Sequence, residues 1–168
     1  MNKARPQDRL QPALLDRLTD DDPTNPLEAS EMRIISGPRM REAVLRDLSW
    51  LFNTTFLSDQ EAFEQFPDAR RSVLNYGLPA LSGQTASSVN PVDMEDKVRA
   101  AIVDHEPRII ADTLRVEALV SEEELDHHNQ ISFRISGQLW AQPVPLELLL
   151  HTDIDLETGR VDVKDLTR

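Results

Sequence analysis

The sequence predicts an α+β fold, with N-terminal helices packed on one face of a mainly antiparallel C-terminal β-sheet. Up to Pro107 the apolar residues recur at spacings of three and four, and beyond it at a spacing of two. The period-two segments are joined by connections too short for crossover helices, so neighbouring strands must run antiparallel. Helices first and strands after is the order of an α+β layout.

Residues 1–38 read as an extended arm. They hold five of the 11 prolines, Pro6, Pro12, Pro23, Pro26 and Pro38. Within the arm, Ala13 to Leu18 can form a short helical turn with Leu14, Leu15 and Leu18 on one side, and Asp20-Asp21-Asp22-Pro23 stops it. The segment reads either as a frayed tail or as an arm that docks its leucines on a partner or on the domain. Residues 39–168 read as one domain.

The first long helix is expected over about Arg39 to Asn53. Met40, Val44, Leu45, Leu48, Leu51 and Phe52 form its apolar stripe, with Trp50 beside it. A shorter helix is expected over Asp68 to Tyr76, closed by Gly77 in a left-handed cap and by Pro79. Ser82 to Ser88 is small and polar and reads as a loop. A third helix opens at Asn90-Pro91, where Asn90 suits the N-cap and Pro91 the first turn. Met94, Val98, Ala101, Ile102 and His105 share one face, and Pro107 ends the helix.

The strands follow. Over 113–121, Leu114, Val116, Ala118 and Val120 alternate with polar residues. Over 130–142, Ile131, Phe133, Ile135, Leu139 and Ala141 do the same. Over 146–156, Leu146, Leu148, Leu150, Ile154 and Leu156 alternate with residues that include His151 and Asp153. Glu157-Thr158-Gly159-Arg160 then reads as a hairpin turn into Val161 and Val163.

Composition narrows the function. With 18 Lys+Arg against 30 Asp+Glu the net charge is −12, which disfavours nucleic acid and anionic lipid as partners. Without Cys there is no disulfide, thiol nucleophile or thiolate-bound zinc. No apolar run approaches the roughly 20 residues of a membrane span, and no secretion signal is visible, so a cytoplasmic location is expected.

The most unusual local feature is His105-Glu106-Pro107-Arg108. Pro107 keeps the backbone extended, so Glu106 and Arg108, two apart, can present a paired polar surface. As an exposed ion pair it is worth about 0–1 kcal/mol. As an interface anchor, Arg108 offers a rigid fork of donors. Catalysis finds little support. Glu106, Asp104 and Asp112 lie near a helix end, but nothing places two carboxyls around a cleft as glycoside hydrolysis needs. His127-His128 falls in an acidic turn and lacks metal-ligand spacing. No glycine-rich phosphate loop and no nucleophile elbow is present.

Four blocks carry a family resemblance. Leu14-Leu15-Asp16-Arg17-Leu18 followed by Asp20-Asp21-Asp22, Asp47-Leu48-Ser49-Trp50-Leu51-Phe52-Asn53-Thr54, Ser72-Val73-Leu74-Asn75-Tyr76-Gly77-Leu78-Pro79, and Glu106-Pro107-Arg108 together resemble the TssE family. These are baseplate wedge subunits of the type VI secretion system, similar to a wedge protein of contractile phage tails. Thr55 departs from the pattern, which has Arg after Asn53-Thr54. The resemblance implies a structural protein with no catalytic residue, cofactor or metal, working in the cytoplasm at the membrane-docked baseplate. It implies docking of Glu106, Pro107 and Arg108 on the bundle formed by TssF and TssG, and the start of TssB–TssC sheath polymerisation. It also implies a partner-binding role for Leu14, Leu15 and Leu18. Some relatives carry a lysozyme-like label, which no residue pattern here supports; a regulatory adaptor on the same fold is a further alternative.

Overall fold

The computed structural model describes residues 13–19, 36–57, 65–85, 88–119, 129–141 and 144–167. Its helices are α1 (Leu14–Leu18), α2 (Gly37–Phe52), α3 (Pro67–Arg70) and α4 (Pro91–His105), with 3₁₀ turns at Val73–Asn75 and Ala111–Thr113. Strands β1 (Arg115–Leu119), β2 (Gln130–Leu139), β3 (Leu146–Asp155) and β4 (Val161–Asp165) form one antiparallel meander in the order β1-β2-β3-β4. The α+β expectation and the antiparallel sheet hold.

Most elements follow from local chemistry. Helix α2 starts two residues earlier than expected because the Ser36 side chain accepts from the Arg39 amide and Pro38 suits the first turn. Helix α4 opens on Asn90, whose side chain accepts from the Val92 amide at 3.0 Å. It closes at His105, since Pro107 pushes Glu106 out of helical geometry (φ −122°, ψ 78°).

The expected single helix over Asp68 to Tyr76 is instead two pieces. The Ser72 hydroxyl donates to the Ala69 carbonyl at 2.8 Å and accepts from the Leu74 amide at 3.2 Å. Asn75 Nδ2 takes the Arg70 carbonyl at 3.1 Å. These side chains offer the backbone local partners that compete with helical ones, so the chain tightens into a 3₁₀ turn. Strand β1 is shorter than expected because Ala111–Thr113 forms the second 3₁₀ turn. Val120 and Ser121, the acidic segment 122–128 with His127-His128, and the Asp20 to Pro23 stop lie outside the described residues.

The core lies between the helices and one sheet face. Val44, Leu48, Ile102, Leu114, Phe133, Ile135, Leu139 and Leu150 have no exposed surface. Helix α2 buries Met40, Ala43, Val44, Leu48, Leu51 and Phe52, and α4 buries Met94, Val98 and Ile102. Val116, Ile135 and Leu150 are cross-strand neighbours on the buried face. On the other face Asp153 bonds Ser132 at 2.8 Å and Lys164 at 2.9 Å and pairs with His151 at 2.8 Å.

Helix side chains bind both outer strands. Asn53 Nδ2 donates to the Val161 carbonyl at 2.8 Å, and its Oδ1 accepts from the Val161 amide at 3.0 Å. That pair ties the end of α2 to β4 much as a neighbouring strand would. At the opposite edge, Glu95 of α4 accepts from the Ala118 amide of β1 at 2.7 Å. Three edge groups that would otherwise template aggregation are thereby satisfied.

Leu48→Ala is expected to destabilise the protein by about 2–5 kcal/mol, as deletion of a fully buried leucine does. Urea denaturation checks this, and an unchanged midpoint would contradict the packing of α2.

Candidate functional site

The four sequence blocks converge in space. Successive blocks lie 18 or more positions apart, yet an ionic chain joins three of them and Tyr76 bonds the fourth to it. Asp16 Oδ1 of α1 accepts from Arg46 Nη1 of α2 at 2.6 Å. Arg46 Nε donates to Asp47 Oδ1 at 2.9 Å. The other oxygen of Asp47 accepts from Arg108 Nη2 at 2.6 Å. Arg108 Nε donates to Glu106 Oε1 at 2.7 Å, and its Nη2 also donates to Glu106 Oε2. The order of charges, Asp16–Arg46–Asp47–Arg108–Glu106, alternates along the whole chain.

Glu106, Pro107 and Arg108 sit where α4 turns toward the sheet, as expected, but they are not the exposed pair expected. Glu106 is only 3% exposed, and it is one of two buried polar residues in the described structure. Pro107 turns the chain so that the Arg108 amide also donates to Glu106 Oε1, at 3.1 Å. The Arg108 side chain keeps 24% of its surface. The paired polar surface therefore faces inward, and the pair ties the α4 exit to α2. The reason is the long-range partner: with Asp47 on α2, Arg108 meets two carboxylates inside the fold. Burial disfavours the Arg108 charge, but hydrogen bonds and attraction from Glu106 and then Asp47 outweigh it and raise its pKa.

The Tyr76 block closes the site. Tyr76 Oη donates to the Asp47 carbonyl at 3.2 Å, and its ring meets His105 edge-on at 5.2 Å. Burial first, then Asp47 and Glu106, raise the Tyr76 pKa. Gly77 has φ +126°, and an added Cβ would lie 2.2 Å from the Thr54 carbonyl oxygen. Glycine is thus demanded by close backbone approach and not by a helix cap. That approach lets Leu78 N donate to Thr54 O at 2.8 Å and Phe56 N donate to Leu78 O at 3.0 Å. Thr55, the departure from the family pattern, joins this contact through its backbone bridge to Leu78.

The arm contributes Asp16 inward and its leucines outward. Leu14, Leu15 and Leu18 are 71%, 43% and 74% exposed. Arg46 also lies over the Trp50 ring, 5.2 Å from its centroid. Asp16 foremost, against burial and with help from Asp47, raises the Arg46 pKa.

Asp16, Arg46, Asp47 and Asn53 escape a reading by periodicity, because each acts across more than 25 residues of sequence. The signal that finds Asp16, Asp47 and Asn53 is their membership in the four blocks; Arg46, one position before the second block, carries no such signal. The remaining sequence candidates disperse: Asp104 pairs with Arg71 at 3.0 Å, and Asp112 is exposed in its 3₁₀ turn. Among the described residues no cluster of three or more His, Asp or Glu is placed to hold a metal, and no helix is long and apolar enough to cross a membrane.

The site's charged groups are bound to one another and join four segments of a small α+β domain. A family model described as baseplate wedge protein gp25 matches residues 38–144, and the chain belongs to that family, which is also the family of TssE. Its members give the chain a structural role in a baseplate. Comparison with curated proteins and with solved structures gave no match.

Arg108→Ala is expected to cost roughly 3 kcal/mol, at the low end for breaking a buried ion pair, because it leaves the Glu106 charge without its cation. Thermal and urea unfolding measure this, and a change within 0.5 kcal/mol, roughly the spread for surface substitutions, would place the pair back on the surface.

Proposed function

We propose that this protein is the wedge subunit of a type VI secretion baseplate, linking TssF and TssG and starting TssB–TssC sheath polymerisation. The observation that carries the reading is the convergence of the four TssE-like blocks, three on one ionic chain and the fourth bonded to it through Tyr76, in a chain of the baseplate wedge family. Residues 39–168 act as the wedge domain and residues 1–38 as its arm. The Glu106-Pro107-Arg108 turn docks on the TssF–TssG bundle, with the clamp to Asp47 fixing the shape of the turn. Leu14, Leu15 and Leu18 supply apolar contact from the arm.

Sheath initiation draws on the sheet edges. Helix side chains hold β4 at Val161 and β1 at Ala118. The rest of each five-residue edge strand is the stretch we assign to strand addition by the first sheath ring. The protein works in the cytoplasm, at the membrane-docked baseplate. The role calls for no cofactor, no nucleic acid and no catalytic group, so we assign no lysozyme-like activity.

Tagged protein purified from its own host is expected to bring down TssF and TssG together. Recovery of folded protein without either subunit would contradict the wedge role.

A further inference from the structure

The ionic chain has a tight end and a loose end. At the tight end Arg108 binds the buried Glu106 through its Nε, its Nη2 and its own amide. At the loose end a single bond, from Arg46 Nη1 to Asp16 Oδ1 at 2.6 Å, carries the arm. Among the described residues it is the only hydrogen bond or ion pair between α1 and the rest of the fold. The other bonds of the segment are its own. Arg17 N donates to Ala13 O at 3.1 Å, and Thr19 donates to the Leu15 carbonyl through its amide and its hydroxyl, both at 3.0 Å. The side chain of Arg17, the second charge of α1, is exposed and pairs with nothing among the described residues.

Helix α1 has five residues, no buried residue and no side-chain cap at its start. A helix that short does not persist on its own, so its placement rests on the pair. The pair is neither deep nor complete. Of the Arg46 side chain 33% is exposed, and Asp16 Oδ2 is buried with no partner, so closing the arm leaves one acceptor unsatisfied. An ion pair this exposed contributes little net, and the unsatisfied oxygen opposes it. Arg46 is not left bare when the arm leaves, because its Nε holds Asp47 at 2.9 Å and its guanidinium lies 5.2 Å from the Trp50 centroid.

We propose that α1 is a strap, closed on α2 by the single Asp16–Arg46 clasp and opened by competing charge. Closed, the strap fixes where Leu14, Leu15 and Leu18 are presented. Open, it frees them and leaves Arg46 Nη1 as an unused donor beside Asp47. The tight end, where Arg108 and Glu106 share three bonds, stays shut in both states. On the wedge reading above, on which this consequence alone rests, the strap decides where the arm's leucines can meet a neighbouring subunit. Asp16 and Arg46 are positioning residues here.

The test uses the full-length protein and needs neither TssF nor TssG. The chain has no Cys, so Leu18→Cys carries a nitroxide at a unique and exposed position of the strap. At low salt the closed strap is expected to broaden the NMR signals of Arg46 and of the Trp50 indole. That broadening is expected to fall by roughly threefold or more when Asp16→Asn is added, and likewise without it at about 1 M NaCl, where the screening length is roughly 3 Å. The melting temperature of Asp16→Asn is expected to match that of wild type, since α1 buries no residue. Absence of broadening at low salt, or equal broadening with Asp16→Asn, would overturn the clasp. Broadening that salt leaves unchanged would overturn opening by competing charge. A melting temperature lowered by several degrees in Asp16→Asn would make the pair a fixed tie of the fold and overturn the strap. Each of these results leaves the wedge reading to its own test, the recovery of TssF and TssG.

Discussion

The carboxylate of Asp47 is the point on which the rest of the structure depends. One of its oxygens takes Arg46 and the other takes Arg108, so a single side chain on α2 joins the arm to the turn between α4 and the sheet. Glu106 makes this necessary. A carboxylate that is 3% exposed has lost its water, and only a cation with several donors restores what it lost. Arg108 supplies three bonds to it, two from the side chain and one from its own amide. Pro107 and Arg108 form a tight turn, closed by the Ile109 amide on the Glu106 carbonyl at 3.2 Å, and that turn lets the two charges meet.

Stability and geometry come from different sources in this fold. The apolar layer of α2, α4 and the buried sheet face supplies most of the free energy, since buried ion pairs contribute little net and mainly penalise disruption. What the ionic chain adds is placement. It decides how the arm, α2, the Tyr76 block and the α4 exit sit relative to one another. Asn53 extends the same logic to the sheet, through its two bonds to Val161. An assembly protein needs that kind of rigidity, because docking surfaces bind best when their shape is fixed before the partner arrives.

Much of the fold was legible in the sequence. The alternation in β2 and β3 is interrupted only at Gly137, Leu149 and Thr152, and the turn residues around Gly159 are unambiguous, so the strand bounds agree to within three residues. The helix caps at Asn90 and Pro107 were legible because their chemistry is local. The second helix is not legible, because a hydroxyl at Ser72 competes for backbone partners, which periodicity does not register. The site was legible only as separate pieces. A Glu and an Arg two apart look the same whether exposed or buried, and the residue that decides, Asp47, is 61 positions away from Arg108. Gly77 looks like a helix cap in the sequence for the same reason: its real constraint, the Thr54 carbonyl, is a long-range contact.

The most direct measurement is a double-mutant cycle between Asp47 and Arg108, with unfolding free energies for wild type, Asp47→Asn, Arg108→Gln and the double variant. If Asp47 holds the turn in place, the two substitutions are coupled by about 1–3 kcal/mol, the range for residues that share an ion-pair network. Additive effects, with coupling near zero, would mean that the two residues act independently and that the four blocks are held together by the apolar core alone.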